Sequence, residues 1–502
     1  MKLLDIVRNI AGSVSYGAYR GVDDSRYRTQ GAYHRSRDVA EERALSAYGR
    51  KKMTLELRDL WRNNEIVRGA VNRVVSYSVW NGLFPIPQTN DPEWNKVAAQ
   101  YWRDVVVPTI DYRQMQGVDL TSLQQLTVSH RFVEGDLGYV LLKNGQVQPI
   151  EGARIKTPTE YKEDPRVTAG IRTTPGGLVL GYYVCDRADG GGAVSTEKWR
   201  YIRRENFIHC FNPGRIDQGR GVADLATVVN KCRDYDETDN YVLNKIKVDA
   251  EQQFKRITQT GRAGERSRGG YTRTETDDMN PQRVIKTEWG TVHNLLPSED
   301  LQAFESKTPN AQYVPYLEHE LKAIAMAIGI PYEYLMLIFT SGSFTAQRAA
   351  MLHANHTFTE IHTWLEKAFL NRLYNWRVAK AIKDGAIKPA PVDPDTGLSQ
   401  WHRKEWSLPY FPALDPAKQA KADETRYKNG KGSIESQLRS EGRSRDTVFS
   451  EKGADIQAAI DAANAINERA GNEGAGVTWR DIIQAHESKT AAAFAQKGPS
   501  QA

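Results

Sequence analysis

The stretch from Gly221 to about Asp384 constrains the fold most. It reads as helix, polar excursion, helix, small-residue loop and then one very long helix. In the first helix, from Val222 to about Phe254, residues Leu225, Val228, Val229, Cys232, Tyr235, Val242, Leu243, Ile246 and Ala250 recur at spacings of three and four. That spacing puts them on one apolar stripe, with Asp234, Asp236, Glu237, Asp239, Lys245 and Lys247 mostly elsewhere. The excursion is rich in Arg, Gly and Thr. The second helix, Gln312 to Ile328, meets a stop signal in Gly329 with Pro331 behind it. The loop Phe339-Thr340-Ser341-Gly342-Ser343-Phe344 leads into a helical pattern from Thr345 to about Lys383, longer than ordinary globular helices. Two helices bracketing a variable loop, followed by a spanning helix, need an external surface to pack on. A ring of identical copies would supply it.

The rest of the 502-residue chain is long enough for several domains. Its 68 basic and 62 acidic residues leave a net charge of only +6, which argues against a dedicated nucleic-acid binder without excluding loose contact with DNA. Cys185, Cys210 and Cys232 have no CxxC spacing and an odd count, so a reducing compartment without a disulfide framework is expected. No apolar run is long enough to span a bilayer, and Lys2 and Asp5 interrupt the N-terminal apolar stretch, so neither membrane nor secretion is expected.

From Ser13 to Arg50 the chain is polar, Arg- and Tyr-rich and without period, which reads as an arm. A helix is expected from Thr54 to about Trp80, ended by Asn81-Gly82, then helices at Glu93 to Val106, stopped by Pro108, and at Leu120 to Val133. After the turn Glu134-Gly135-Asp136, strands are expected at Leu137 to Leu142, Gln146 to Ile150, Leu178 to Val184, Trp199 to Ile202 and Phe207 to Phe211. This is an α+β region with antiparallel strands. Beyond the long helix, Trp406 to Phe411 reads as extended. Helices are expected at Ala417 to Tyr427, with Asp415 as cap and Pro416 at the first position, at Ser433 to Ser440 and at Ser444 to Asn467. A polar tail carries a short helical run near Thr478 to His486.

Several separated motifs, in order, resemble those of portal proteins of the lambda family of tailed bacteriophages. Leu60-Trp61-Arg62-Asn63-Asn64-Glu65-Ile66-Val67-Arg68-Gly69-Ala70 is similar to the family's N-terminal helix, with Glu65 in place of a Pro. Glu134-Gly135-Asp136 resembles its first turn and Ile150-Glu151-Gly152-Ala153-Arg154-Ile155 a following segment. The run from His209 to Gly221 resembles H-x-F-x-P-x-R-x-x-Q-x-R-G, and Ala323 to Leu335 resembles I-A-x-x-x-G-I-P-Y-E-x-L. Leu414-Asp415-Pro416-Ala417-Lys418 and Ser440-Glu441-Gly442-Arg443 fit the end of the pattern. The loop at 338–350 departs from it, lacking an Asn-Tyr pair but keeping Arg348 and Ala349.

The resemblance implies a mostly helical α+β portal fold of wing, stem, clip and crown, assembled as a ring around a channel. It divides the chain into an N-terminal arm (1–53), an α+β wing (54–221), a first stem helix (222–253), a clip (254–310) and a second stem helix (311–329). There follow a tunnel loop (330–345), the long wing helix with a return strand (346–412), crown helices (413–470) and a C-terminal tail (471–502). It implies a structural protein rather than an enzyme, without cofactor. It implies further that double-stranded DNA is packaged through the ring by the terminase large subunit and later ejected through the tail. The implied partners are further copies of the chain in a dodecamer, DNA, terminase, a head-tail adaptor and the major capsid protein. The implied place is the capsid vertex of the virion, and the host cytoplasm during assembly. Thr340, Ser341, Gly342, Ser343 and Phe344 would face DNA, and Arg262, Arg266, Arg268 and Arg273 would form the docking rim of the clip.

The residues themselves fit such a conduit. A loop without charge touches a duplex without the phosphate contacts that strengthen grip, and Gly342 lets it flex. The acidic group Asp234, Asp236, Glu237 and Asp239 would repel phosphates if it faced a bore; solvated surface or ion pairing between copies explains it equally. The mixed charges of the excursion suit a docking rim or an ordinary exposed loop. The competing class is a metal-dependent nucleic-acid enzyme built on His353, His356, Glu360 and His362. Against it, Glu360 and His362 are two apart on a helix and do not face the same way, and no HExxH, phosphate-binding loop or nucleophile elbow is present. A non-ring capsid or scaffolding component is the third reading.

Overall fold

The computed structural model describes residues 45–187, 194–251, 254–258, 299–303, 311–338, 344–407, 416–440, 445–470, 478–480 and 482. They are mostly helical, with short antiparallel sheets. They divide into two compact units, one within Met1–Thr227 together with Ile328–Ala502 and the other within Val228–Ala327.

The first unit begins with α1 (Ala47–Asn63), seven residues ahead of the expected start at Thr54 and within what was read as the arm. The signal was Ser46, whose side chain accepts from Gly49 N at 3.1 Å and caps a turn otherwise hidden in polar sequence. Helix α2 (Glu65–Val79) is separate from α1, because Asn64 takes an extended conformation and its Oδ1 accepts from Val67 N at 2.7 Å. The single helix expected here is therefore two, joined at the Asn of the Asn-Asn-Glu motif. After α2 comes β1 (Pro85–Pro87). Helix α3 (Pro92–Tyr101), capped by Asp91, widens to i→i+5 hydrogen bonding over Trp102–Val106 and ends in a turn at Val107–Thr109. Pro108 thus lies inside the last turn and does not stop the helix. Helix α4 (Leu120–Val133) has the expected bounds.

Strands β2 (Asp136–Leu141), β3 (Val147–Glu151), β4 (Val167–Thr168), β5 (Ile171–Thr173), β6 (Val179–Arg187), β7 (Val194–Arg203) and β8 (Phe207–Phe211) form two antiparallel sheets, in the orders β3-β2-β8 and β4-β5-β6-β7. Val140, Ile150 and Phe207 from the first sheet and Ile171, Tyr182, Val184 and Ile202 from the second share one buried cluster. Burial does not simply alternate: β2 is buried at all six residues and β6 at five in a row, so the turn signals between the strands, rather than a period of two, made them readable.

In the second unit, α5 (Val229–Glu251) follows a 3-10 turn at Asp224–Thr227, so the helix starts several residues after Val222. Strands β9 (Phe254–Thr258) and β10 (Glu299–Ala303) pair antiparallel, Phe254 opposite Ala303, and were not expected inside the polar excursion. Helix α6 (Tyr313–Ile328) matches its expected bounds within a residue.

Back in the first unit, Gly329 at φ +83° ends the helical run, and its carbonyl accepts from the Thr357 hydroxyl at 2.5 Å. Short α7 (Tyr332–Met336) follows. The long helix is α8 (Phe344–Leu365), five residues of i→i+5 bonding at Glu366–Leu370, and α9 (Asn371–Lys383). The wide turn buries Phe369 and Leu370 and lets Phe369 stack on Tyr139 at 4.3 Å between ring centres. Strand β11 (Lys404–Trp406) pairs antiparallel with β1, more than three hundred residues away in sequence. Helices α10 (Pro416–Lys428), α11 (Ile434–Ser440) and α12 (Arg445–Ala470) follow close to the expected positions, with Pro416 opening α10. The expected cap Asp415, the loop 189–192, most of the extended run at 406–411 and most of the run at 478–486 lie outside the described residues.

Candidate functional site

Three of the motif segments meet at one buried guanidinium. Arg220, with its side chain 2% exposed, binds Asp136 with two nitrogens, Nε to Oδ2 and Nη2 to Oδ1 at 3.0 Å. Nη2 also donates to Gly152 O at 2.7 Å, while Nη1 donates to Ile155 O at 2.6 Å and Ala169 O at 2.7 Å. The planar fork of arginine suits a carboxylate and converging carbonyls, which an ammonium would not match. His209 adds an Nε2 contact to Asp136 Oδ2 at 3.2 Å. Burial alone would raise the Asp136 pKa; Arg220 and His209 outweigh it and hold the carboxyl well below its usual range. Burial moves His209 the other way, downwards, so it stays neutral near pH 7.

Two glycines let the backbones close over this cluster. A Cβ on Gly221 would lie 2.0 Å from Gly135 O, and one on Gly135, at φ +88°, would lie 2.4 Å from Val222 C. The turn before β2 and the segment leading to α5 therefore touch backbone to backbone. Gln218 fixes the loop ahead of Arg220: its Oε1 accepts from Gly214 N at 2.7 Å and Arg215 N at 3.2 Å, and its Nε2 donates to Arg220 O at 2.7 Å. In the motif from His209 to Gly221, the His, Gln, Arg and Gly thus each have a defined structural task.

A second tier of charges ties the helices to the same place. Arg50 donates to Gly221 O, and Arg58 to Glu134 Oε1 (2.5 Å) and Glu151 Oε2 (3.1 Å). His130 Nδ1 lies 2.9 Å from Glu134 Oε1. Arg131 Nε donates to Asp224 Oδ2 at 2.8 Å, and its guanidinium lies 4.9 Å from the Trp364 ring centre. Trp364 Nε1 in turn donates to Phe211 O at 3.0 Å. Burial opposes ionisation of both His130 and Glu134, but their mutual attraction, joined for Glu134 by Arg58, raises the His130 pKa and lowers that of Glu134.

These shifts have signs that can be tested. A raised histidine pKa gives stability present below about 6.5, the ordinary value, and lost as pH rises through the folded-state value; a lowered carboxyl pKa gives stability present above about 4.5 and lost as pH falls. The destabilisation caused by His130→Gln is therefore expected to be larger at pH 6 than at pH 9. Urea titrations of both proteins at the two pH values check it, and an equal penalty at both would contradict the assignment.

Within the second unit, α5 and α6 pair antiparallel. Lys231 Nζ donates to Glu320 Oε2 at 2.7 Å near one end, and the Tyr313 hydroxyl donates to Asp239 Oδ1 at 2.5 Å near the other. Asp239 of the acidic group is thus engaged in the helix pair. The expected apolar stripe is buried at Val229 and Cys232 but runs out into exposed Leu243 and Ile246, joined by Tyr241 (71% exposed) and Val248; on α6, Val314, Tyr316 and Met326 (79%) are exposed.

The residues singled out from sequence are placed unevenly. Phe344 is the first residue of α8, whereas Thr340, Ser341, Gly342 and Ser343, with Arg262, Arg266, Arg268 and Arg273, lie outside the described residues. The histidines of the competing reading are not brought together: His353 and His356 are exposed, whereas His362 is buried and its pKa falls to about 4 through loss of solvation. Glu360 lies 3.6 Å from Arg131. Among the described residues, no group of three or more His, Cys, Asp or Glu side chains is arranged to hold a metal ion, and no helix is long and apolar enough to cross a membrane. Sequence reasoning quoted Asp136 and Arg220 within motifs but did not pair them. The available signal was an arginine between glycines together with an acid at a strand start.

Residues 28–362 match the family model described as phage portal protein, lambda family, and the chain belongs to that family. Among its relatives are the portal protein of Escherichia phage N15 and portal protein B of Escherichia phage lambda, each 23% identical over 223 residues, covering 41% of this chain. The matched region spans 42% of the length of each of these relatives. Among solved structures, a chain in the neck of a native gene transfer agent (GTA) particle computed with C12 symmetry aligns at a TM-score of 0.44 and 12% identity, covering 76% of this chain and 92% of that one. A chain of the native GTA virion aligns at 0.44 and 13%, covering 78% and 93%.

Proposed function

We propose that this chain closes into a ring, a dodecamer, at one vertex of a phage capsid, and that double-stranded DNA enters and leaves through its channel. Membership of the lambda portal family, across residues 28–362, is the observation that carries this reading. The relatives named portal proteins support it. So does the helix pair α5–α6, whose exposed Tyr241, Leu243, Ile246, Val314 and Met326 leave apolar surface that neighbouring copies would cover.

In this reading 54–221 and 346–412 form the wing, α5 and α6 the stem, and 254–310 the clip, with β9–β10 at its root. The crown is built by 413–470, and 1–53 and 471–502 are terminal arms. The clip, through Arg262, Arg266, Arg268 and Arg273, meets the terminase large subunit and later a head-tail adaptor, while the capsid protein surrounds the ring. The ring is assembled in the host cytoplasm and remains in the virion. It performs no turnover of its own and binds no cofactor; the packaging energy comes from the motor. Thr340, Ser341, Gly342, Ser343 and Phe344 meet the DNA, offering small polar groups and no phosphate-gripping cation. Deleting 340–344 is expected to leave rings intact while impairing DNA packaging or retention, a loss of contact with DNA rather than of fold. DNA content of particles assembled with the variant measures it, and normal packaging would contradict the tunnel-loop assignment.

A further inference from the structure

The loop between β8 and the Asp224–Thr227 turn is held more firmly than a connection requires. Arg220 anchors one end through its buried hydrogen bonds, Phe211 O the other through Trp364, and the Gln218 amide braces the middle against Gly214 N, Arg215 N and Arg220 O. At the tip of this braced loop stands Ile216, 102% exposed, between Arg215 and Asp217. A branched apolar side chain carried into solvent on a braced backbone, with charged neighbours, has the makeup of an interface anchor for which the backbone part of the ordering cost is met before binding.

The same unit carries a matching receptor. The segment after α3 borders an open pocket of about 550 Å³, with Pro108, Met115 and Val118 as apolar wall, Gln114 and Gln146 as amides, and Asp119 of charge opposite to Arg215. Met115 is 54% exposed. One chain thus presents both a projecting apolar anchor and an apolar pocket with a complementary charge. Such a pair makes a heterologous, head-to-tail contact, the kind from which rings close. We propose that Ile216 of one copy seats in the Pro108–Met115–Val118 pocket of the next, with Arg215 directed to Asp119. The inference rests on the ring reading above and deepens it by naming the residues of one contact between copies.

The test uses full-length protein with p-benzoylphenylalanine in place of Ile216, irradiated after assembly, with the same probe at exposed Leu178 as control. Adducts between copies that map to the peptide spanning 108–119, absent with the Leu178 probe, are the expected result. Adducts within one copy, on another segment, or none in a verified ring would overturn the contact and leave the ring reading intact. Ile216→Asp is expected to raise the concentration needed for assembly at least about tenfold, with helical content and monomer melting unchanged because the side chain is solvent-exposed. Unchanged assembly would also overturn it. Wild-type protein that never forms a closed ring would remove the reading on which the inference rests, and the contact with it.

Discussion

Replacing Arg220 with Met is expected to destabilise the first unit by about 3–5 kcal/mol, the range found when one partner of a buried ion pair is removed. The substitution keeps much of the side-chain volume but strips Asp136 of its cation and leaves Gly152 O, Ile155 O and Ala169 O without their donor. Each buried carbonyl left unpaired adds a desolvation penalty. His209 cannot compensate, because burial already disfavours its charged form. Arg220→Lys should recover little, since an ammonium reaches one or two of the acceptors and not the converging set. Urea denaturation followed by circular dichroism measures both variants. A loss under about 1 kcal/mol for Arg220→Met would show that the cluster is not a keystone of the fold.

Gly221→Ala is expected to have a comparable effect for a different reason. Its Cβ would sit 2.0 Å from the Gly135 carbonyl oxygen, a backbone atom that cannot rotate away. Relief requires separating the turn before β2 from the segment that leads into α5, which also pulls Arg220 from Asp136. A cost of about 3 kcal/mol or more follows from overpacking against backbone. Gly135→Ala adds a second penalty, because φ +88° is a conformation that residues with a Cβ rarely adopt. Thermal melts of the two alanine variants, with Gly117→Ala as a control at a position where nothing lies within 4 Å, separate steric clash from backbone strain. The control also has positive φ, so a large loss at Gly221 beside a small one at Gly117 identifies the clash.

Much of the frame of helices and strands was legible because burial and turn residues leave local patterns. Leu120–Val133 and Phe207–Phe211 have the bounds that their patterns gave, and α6 differs by one residue. The failures have particular causes. Ser46 was a cap hidden in a polar run, so α1 began earlier than its apolar positions suggested. Pro108 was read as a terminator, yet the preceding turn is widened to i→i+5 bonding and the chain stays helical past it. The pairing of β1 with β11 joins strands too short and too distant for any local signal. The stripe on α5 was correctly periodic, but periodicity does not say whether the partner surface belongs to the same chain; Leu243 and Ile246 are exposed in the single copy. At the Arg220 cluster the motif residues were visible. Their convergence was not, because a charge buried by tertiary contact has no local period.

The most direct test of the central claim is the mass and symmetry of the purified full-length protein, read by native mass spectrometry together with class averages from negative-stain electron microscopy. A closed ring of a single mass, with a central hole wide enough for a DNA duplex, is the expected result. A monomer or dimer persisting at high protein concentration would contradict the portal reading.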